Sequence, residues 1–150
     1  LYGESGSDRE RPSLPPVCAE VDGAKRSYNG LWARKADGVG GASVVVNDTS
    51  QAYVHYIYDD MGRPVWLIAT PEPQSPTTRE SPLSQFDGFC AVCAGSADDI
   101  GIESVGMFTR DFASEESMTW NLDYVLKSPL GGSINRTDLT FKLTAPVACQ

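Results

Sequence analysis

The sequence predicts an all-β fold: an antiparallel up-and-down meander of about eight strands, closed as a small barrel or packed as a sandwich, with an extended N-terminal arm. Three observations predict it. First, two late segments alternate with period two. Met118, Trp120, Leu122, Tyr124 and Leu126 fall on one side, and Thr119, Asn121, Asp123 and Lys127 on the other, with only Val125 breaking the rule. Leu139, Phe141 and Leu143 likewise alternate with Thr140, Lys142 and Thr144. Successive side chains of a strand point to opposite faces, so each apolar set is expected to face a core. Second, the remaining apolar runs are short, rich in β-branched and aromatic residues, and bounded by Gly, Pro, Asp and Asn. Third, "ASEES" at residues 113–117 is the only fair helix start, and it is too short for more than one turn. Closure into an up-and-down barrel is preferred, because closure leaves no exposed strand edge.

The elements follow in order. Residues 1–28 read as an arm: "SGSDRERPSLPP" is polar and lacks periodicity, and Pro12, Pro15 and Pro16 favour extended backbone and forbid a helix. Residues 29–150 read as one disulfide-stabilised β domain. It opens with "GLWAR", a glycine-rich loop "DGVGGAS" and the strand "SVVVN". "QAYVHYIY" and "RPVWLIAT" flank a turn at Asp59, Asp60, Met61 and Gly62, where Gly62 supplies the positive φ. A proline-rich loop, "PEPQSPTTRESP", leads to "SQFDGF" and the cysteine loop "FCAVCAG". "GIESVGMFTR", "SMTWNLDYVL" and "SINRTDLTFKLT" complete the meander, the last two separated by a turn at Gly131 and Gly132.

The chain has 150 residues, a single-domain length, and a net charge of −8. Residues 1–40 carry six basic and six acidic side chains, so the whole −8 belongs to residues 41–150. Such a surface repels phosphate backbones and anionic membranes, which argues against a nucleic-acid partner. No apolar run approaches the roughly 18–20 residues of a membrane helix. "LYGESGSDRE" has no basic and no apolar region of a signal peptide, so it is expected to belong to a mature or trimmed chain.

Four cysteines and a single histidine favour disulfides over a metal centre, which would need four clustered ligands. Three pairings exist. Cys18–Cys149 with Cys90–Cys93 is favoured, and Cys18 and Cys149 each joined to one of the close pair stays open. Either set implies an oxidising compartment: extracellular, cell surface or periplasm.

In residues 51–58, Ala52, Val54, Tyr56 and Tyr58 point one way, and Tyr53, His55 and Ile57 the other. In the following strand Val65, Leu67 and Ala69 oppose Trp66, Ile68 and Thr70. Both faces are apolar or aromatic, so one covers the core and the other is expected to be covered by the arm, a loop or another molecule. The candidate partner- or ligand-binding residues are therefore Trp32, Tyr53, His55, Tyr58, Trp66 and Trp120. No catalytic residue, metal ligand or cofactor is assigned. The lone His55 sits mid-strand between tyrosines, and the paired acids Asp59–Asp60, Asp98–Asp99 and Glu115–Glu116 are adjacent turn residues, not carboxylates facing each other across a cleft.

"SYNGLWARKADGVGGASVVV" followed by "YIYDDMGRPVWLIA" resembles a repeat module of secreted proteins from gammaproteobacteria and relatives. That module reads G-x-W, then a short spacer with G-x-G, an apolar strand and Y-x-Y-D-x-x-G-x-P-x-W-hydrophobic-x-A. The matching residues are Gly30, Trp32, Gly38, Gly40, Tyr56, Tyr58, Asp59, Gly62, Pro64, Trp66 and Ala69. The resemblance implies secretion and, by analogy of the G-x-W opening, an avidin- or lipocalin-like barrel; it implies no activity. Separately, "RPSLPPVCAEV" is similar to a segment of secreted polysaccharide-degrading enzymes, without their catalytic pattern. Three functions are thus expected in order. The first is a secreted non-catalytic structural or interaction module whose arm and aromatic face engage copies of itself, in an extracellular oligomer or filament, or another extracellular protein. The second is a glycan- or small-molecule-binding barrel. The third is an accessory domain of a secreted hydrolase.

Overall fold

The structure is a computed structural model that describes residues 17–38, 40–71, 75, 77–87, 101–145 and 149. Eight strands close into an antiparallel barrel in sequence order: β3 (Gly30–Arg34), β4 (Gly41–Val46), β5 (Gln51–Tyr58), β6 (Pro64–Ala69), β7 (Glu80–Asp87), β8 (Gly101–Phe112), β9 (Ser117–Val125) and β10 (Ser133–Lys142), which pairs back onto β3. The meander is therefore a barrel, not a sandwich. β1 (Ala19–Val21) and β2 (Ala24–Arg26) form a separate hairpin.

An eight-stranded barrel is just wide enough for side chains to fill it. Here the inward residues include Trp32, Val44, Tyr53, His55, Leu67, Leu83, Phe108, Met118 and Trp120, all 2% exposed or less. Rings occupy the middle: His55 lies 4.8 Å from Phe108 and 4.9 Å from Trp120, and Tyr53 lies 4.8 Å from Phe108, between centroids. β7 and β8 shift register at Leu83 and Ser84, a bulge that lets Val105 stand between the paired residues Ser104 and Gly106. A side chain at Gly106 would run into the Asp123 carbonyl, so only glycine permits this approach to β9.

Of the predicted arm, residues 1–16 lie outside the described residues, as do Cys90 and Cys93. Residues 17–28 depart from a plain extended tail: they hold the β1–β2 hairpin, which plugs one end of the barrel. Ala19, Val21 and Tyr28 join the core, and Tyr28 stacks on Phe112 at 4.2 Å. Glu20 N–H donates to Asp48 at the β4–β5 turn, and Asp22 pairs with Arg79 before β7. The hairpin thus spans the opening, and the Cys18–Cys149 disulfide fixes its first strand to the chain beyond β10.

One strand reverses the expected facing. In β10, Asp138, Thr140 and Lys142 are buried, while Leu139, Phe141 and Leu143 are exposed. The inward polar groups are satisfied, which removes the usual penalty. Asp138 accepts from Arg34 and Arg136, Thr140 donates to the Met118 carbonyl, and Lys142 donates to the Ser27 carbonyl. The predicted facing of β9 holds, with Met118, Trp120, Leu122 and Tyr124 inside.

Candidate functional site

The six candidate residues divide between the two surfaces of the barrel. Trp32, Tyr53, His55 and Trp120 point inward and are at most 2% exposed. They are core residues, enclosed by the barrel wall. Tyr58 and Trp66 point outward and are 64% and 63% exposed.

Inside, Trp32 donates its indole N–H to the Tyr28 carbonyl, tying the barrel to its end cap. The Tyr53 hydroxyl donates to Gln51 Oε1 at 2.6 Å and accepts from Arg110 Nε at 2.9 Å. Arg110 also donates to Gln51 Oε1 at 2.7 Å and to the Thr78 carbonyl at 2.9 Å, and its guanidinium lies 4.8 Å from the Phe112 ring. Burial pushes the Tyr53 phenol up to about 12, against the opposing pull of Arg110. This cluster binds β5, β8 and the chain before β7 into one network. Sequence reasoning passed over Arg110, although Phe108, Arg110 and Phe112 alternate in "FTRDF" and so share a face.

His55 is the sole imidazole, and burial pushes it down to about 3. Its ring is held between Phe108 and Trp120, and its ladder partners are Ala42 and Leu67. A neutral, enclosed imidazole is placed to pack and not to shuttle protons to a substrate. Among the described residues, no three His, Cys, Asp or Glu side chains lie together as a metal site.

Outside, the β5–β6 hairpin is pinned by its turn. Asp59 Oδ1 accepts from Met61 N–H at 3.0 Å and Arg63 N–H at 2.7 Å, and Oδ2 accepts from Arg63 Nε at 2.7 Å. Burial alone would raise the Asp59 carboxyl, but these Arg63 and backbone donors hold it below its usual value. Gly62 has φ +78°, and Asp60 N–H donates to the Gly131 carbonyl, joining this turn to the β9–β10 turn. Tyr58 then faces Pro64, and Tyr56 faces Trp66. The Tyr56 and Trp66 rings meet edge-on with centroids 6.1 Å apart, and the Tyr56 and Ser43 hydroxyls are 2.9 Å apart. Tyr56 is 40% exposed and belongs to this site although it was not among the six.

The outer face continues away from the rings. Across five strands the register runs Phe141, Ala33, Gly41, Tyr56, Trp66. Ala33 and Gly41 are small, so the row dips between its bulky ends. The dip is a groove of about 360 Å³, bordered by Leu31, Tyr56, Tyr58 and Leu143. A second hollow of about 400 Å³ lies over β8 and β9, and at its rim Arg79 pairs with Asp22 and Asp111. Comparison with family models, curated proteins and solved structures finds no match for this chain.

Proposed function

We propose that this chain is a non-catalytic interaction module of an oxidising extracellular compartment, at the cell surface or in the periplasm or medium, and that it associates with copies of itself through the outer aromatic face. The observation that carries the reading is the placement of Tyr56, Tyr58 and Trp66 on the solvent side of β5 and β6, beside exposed Leu31, Leu139, Phe141 and Leu143. Contiguous exposed apolar surface with Tyr and Trp at its centre is the usual composition of a protein contact. The side-chain-filled interior supports a contact surface over a ligand-holding calyx, and the enclosed His55 supports binding over catalysis. The Cys18–Cys149 bond fits the compartment.

Sedimentation velocity on the unreduced protein over a concentration series tests the reading. Mass should exceed the monomer as concentration rises, and Tyr58→Ala with Trp66→Ala should return it to monomer without loss of fold. A monomer at every concentration defeats the proposal.

A further inference from the structure

We propose that the end of the barrel opposite the β1–β2 hairpin binds a quaternary ammonium headgroup, with Asp60 as its counter-charge and Tyr58 and Tyr124 as its aromatic walls. The inference goes beyond self-association and does not rest on it.

The site exists because β3 and β4 stop short of their neighbours. β10 begins at Ser133, but β3 pairs with it only at Thr140, Phe141 and Lys142. β4 begins at Gly41, opposite Tyr56. Beyond these pairs the wall is notched: Ile57 and Tyr58 have no ladder partner on β4, and Ser133–Asp138 have none on β3. The notch closes where the Asp60 N–H donates to the Gly131 carbonyl at 3.0 Å. It leaves a pocket of about 170 Å³ lined by Tyr124, Leu126 and Ile134, with Tyr58 and Asp60 beside them. The interior stays filled, so the site is a notch in the wall and not a calyx.

Two carboxylates line the pocket, and they differ in what holds them. Asp59 is engaged within its own turn by Arg63 and by the Met61 and Arg63 N–H groups. Asp60 is exposed, and among the described residues it has no ion pair or side-chain hydrogen bond. A Cβ at Gly131 would stand 2.8 Å from Asp60 Oδ2, so the absence of a side chain there lets this carboxylate lie against the β9–β10 turn.

The lining selects the class of cation. Among the described residues no three candidate ligands gather for a metal ion. A primary ammonium needs acceptors for three N–H groups. The turn carbonyls already accept: that of Gly131 from Asp60, that of Gly132 from Leu126 and that of Pro129 from Arg63. A quaternary ammonium donates no hydrogen bond and presents its charge through methyl groups, so it needs only a counter-charge, apolar contact and aromatic rings. The pocket is smaller than the roughly 300 Å³ at which drug-sized cavities begin, which suits a headgroup of a few atoms. The net charge of −8 draws cations toward the surface.

The test is calorimetric titration of the full, unreduced chain with choline chloride, and with neohexanol, the uncharged isostere in which carbon replaces nitrogen. Choline should bind saturably, and neohexanol at least about tenfold more weakly. Asp60→Asn should weaken choline binding at least about tenfold. Gly131→Ala should do the same while keeping the charge, because the new methyl group meets only the mobile end of the Asp60 side chain. Near-ultraviolet circular dichroism establishes the fold of both variants. Flotation with phosphatidylcholine vesicles separates two sources of the same chemistry. Vesicles held by the wild type and released by choline mean a lipid headgroup, vesicles left unbound mean a free solute, and either keeps the site. Absent choline binding, equal binding of neohexanol or undiminished binding by Asp60→Asn overturns the inference. An oligomer that ignores choline defeats this inference alone, and a monomer that binds it defeats the self-association reading alone.

Discussion

Tyr56 stands directly opposite Trp66 across the β5–β6 ladder, and the two rings meet edge-on in solvent, 6.1 Å apart. Their inward neighbours on the same strands, His55 and Leu67, form an equally direct pair in the core. One hairpin therefore carries two aromatic-apolar faces with different tasks, and mutation should separate them. An exposed cross-strand pair contributes about 0.2–1 kcal/mol to stability. Trp66→Ala should lower stability by about that much in urea denaturation, while reducing association strongly in light scattering. Trp120→Ala, in the filled interior, should instead cost about 3–5 kcal/mol. Equal stability losses for the two would mean that Trp66 is structural.

Acid should weaken the fold through His55. Its pKa falls from 6.5 to about 3 because burial disfavours the imidazolium. The groups packed on it are the rings of Phe108 and Trp120 and the ladder partners Ala42 and Leu67, none of which titrates. The unfolded chain takes up this proton near pH 6.5, and the folded chain does not until about pH 3. The stabilisation is thus complete above pH 6.5 and is lost progressively as pH falls toward 3. Between pH 6.5 and 5 one proton is worth roughly 2 kcal/mol. Denaturation of wild type and His55→Gln across that interval should differ in slope by about one proton. Parallel pH profiles would show that His55 ionises in the folded barrel.

The β5–β6 turn should be sensitive to its backbone conformation. Gly62 has φ +78° with open space around the position of a Cβ, so Gly62→Ala meets no neighbour and strains only the backbone. The left-handed conformation costs a non-glycine residue about 1–2 kcal/mol. Gly62→Asn, which tolerates that conformation better, should recover part of the loss. Thermal unfolding of the two variants checks this, and an alanine variant as stable as wild type would refute it.

The barrel was legible because period two and turn residues agree along most of the chain. Met118, Trp120, Leu122 and Tyr124 read as inward and are inward. β10 misled because hydrophobicity alone assigned its faces. Nothing local in "TDLTFKLT" tells that Arg34, 104 residues before Asp138, supplies the partner that lets this carboxylate face inward. Once Asp138, Thr140 and Lys142 are satisfied within the barrel, Leu139, Phe141 and Leu143 are left for the outer face. The same limit applied to the candidate site. The sequence separated the two faces of "QAYVHYIY" correctly but could not say which one lay inside. Tyr53 and His55 on that strand are core, and so are Trp32 and Trp120 on other strands, Trp120 on the face that its alternation had already turned inward. The hairpin at residues 19–26 was obscured by its length, since "AEVDGAKR" is too short to show a period, although Asp22 and Gly23 are a turn pair.

The last prediction concerns the strap that holds this hairpin in place. Cys18 and Cys149 are 131 residues apart, so their bond removes a large loop-closure entropy from the unfolded chain. For a loop of this length the gain is about 5 kcal/mol. It also anchors Ala19 and Val21, which complete the core at the capped end beside Tyr28 and Phe112. Cys18→Ser with Cys149→Ser should therefore lower stability by up to about 5 kcal/mol. Because the bond holds β1 at the residue just before it, hydrogen exchange should rise first at Ala19, Val21 and Ala24. Exchange at Phe108 and Trp120 should change only as the global stability falls. Uniform loosening of both regions would mean that the bond acts on the unfolded chain alone and that the cap holds itself in place.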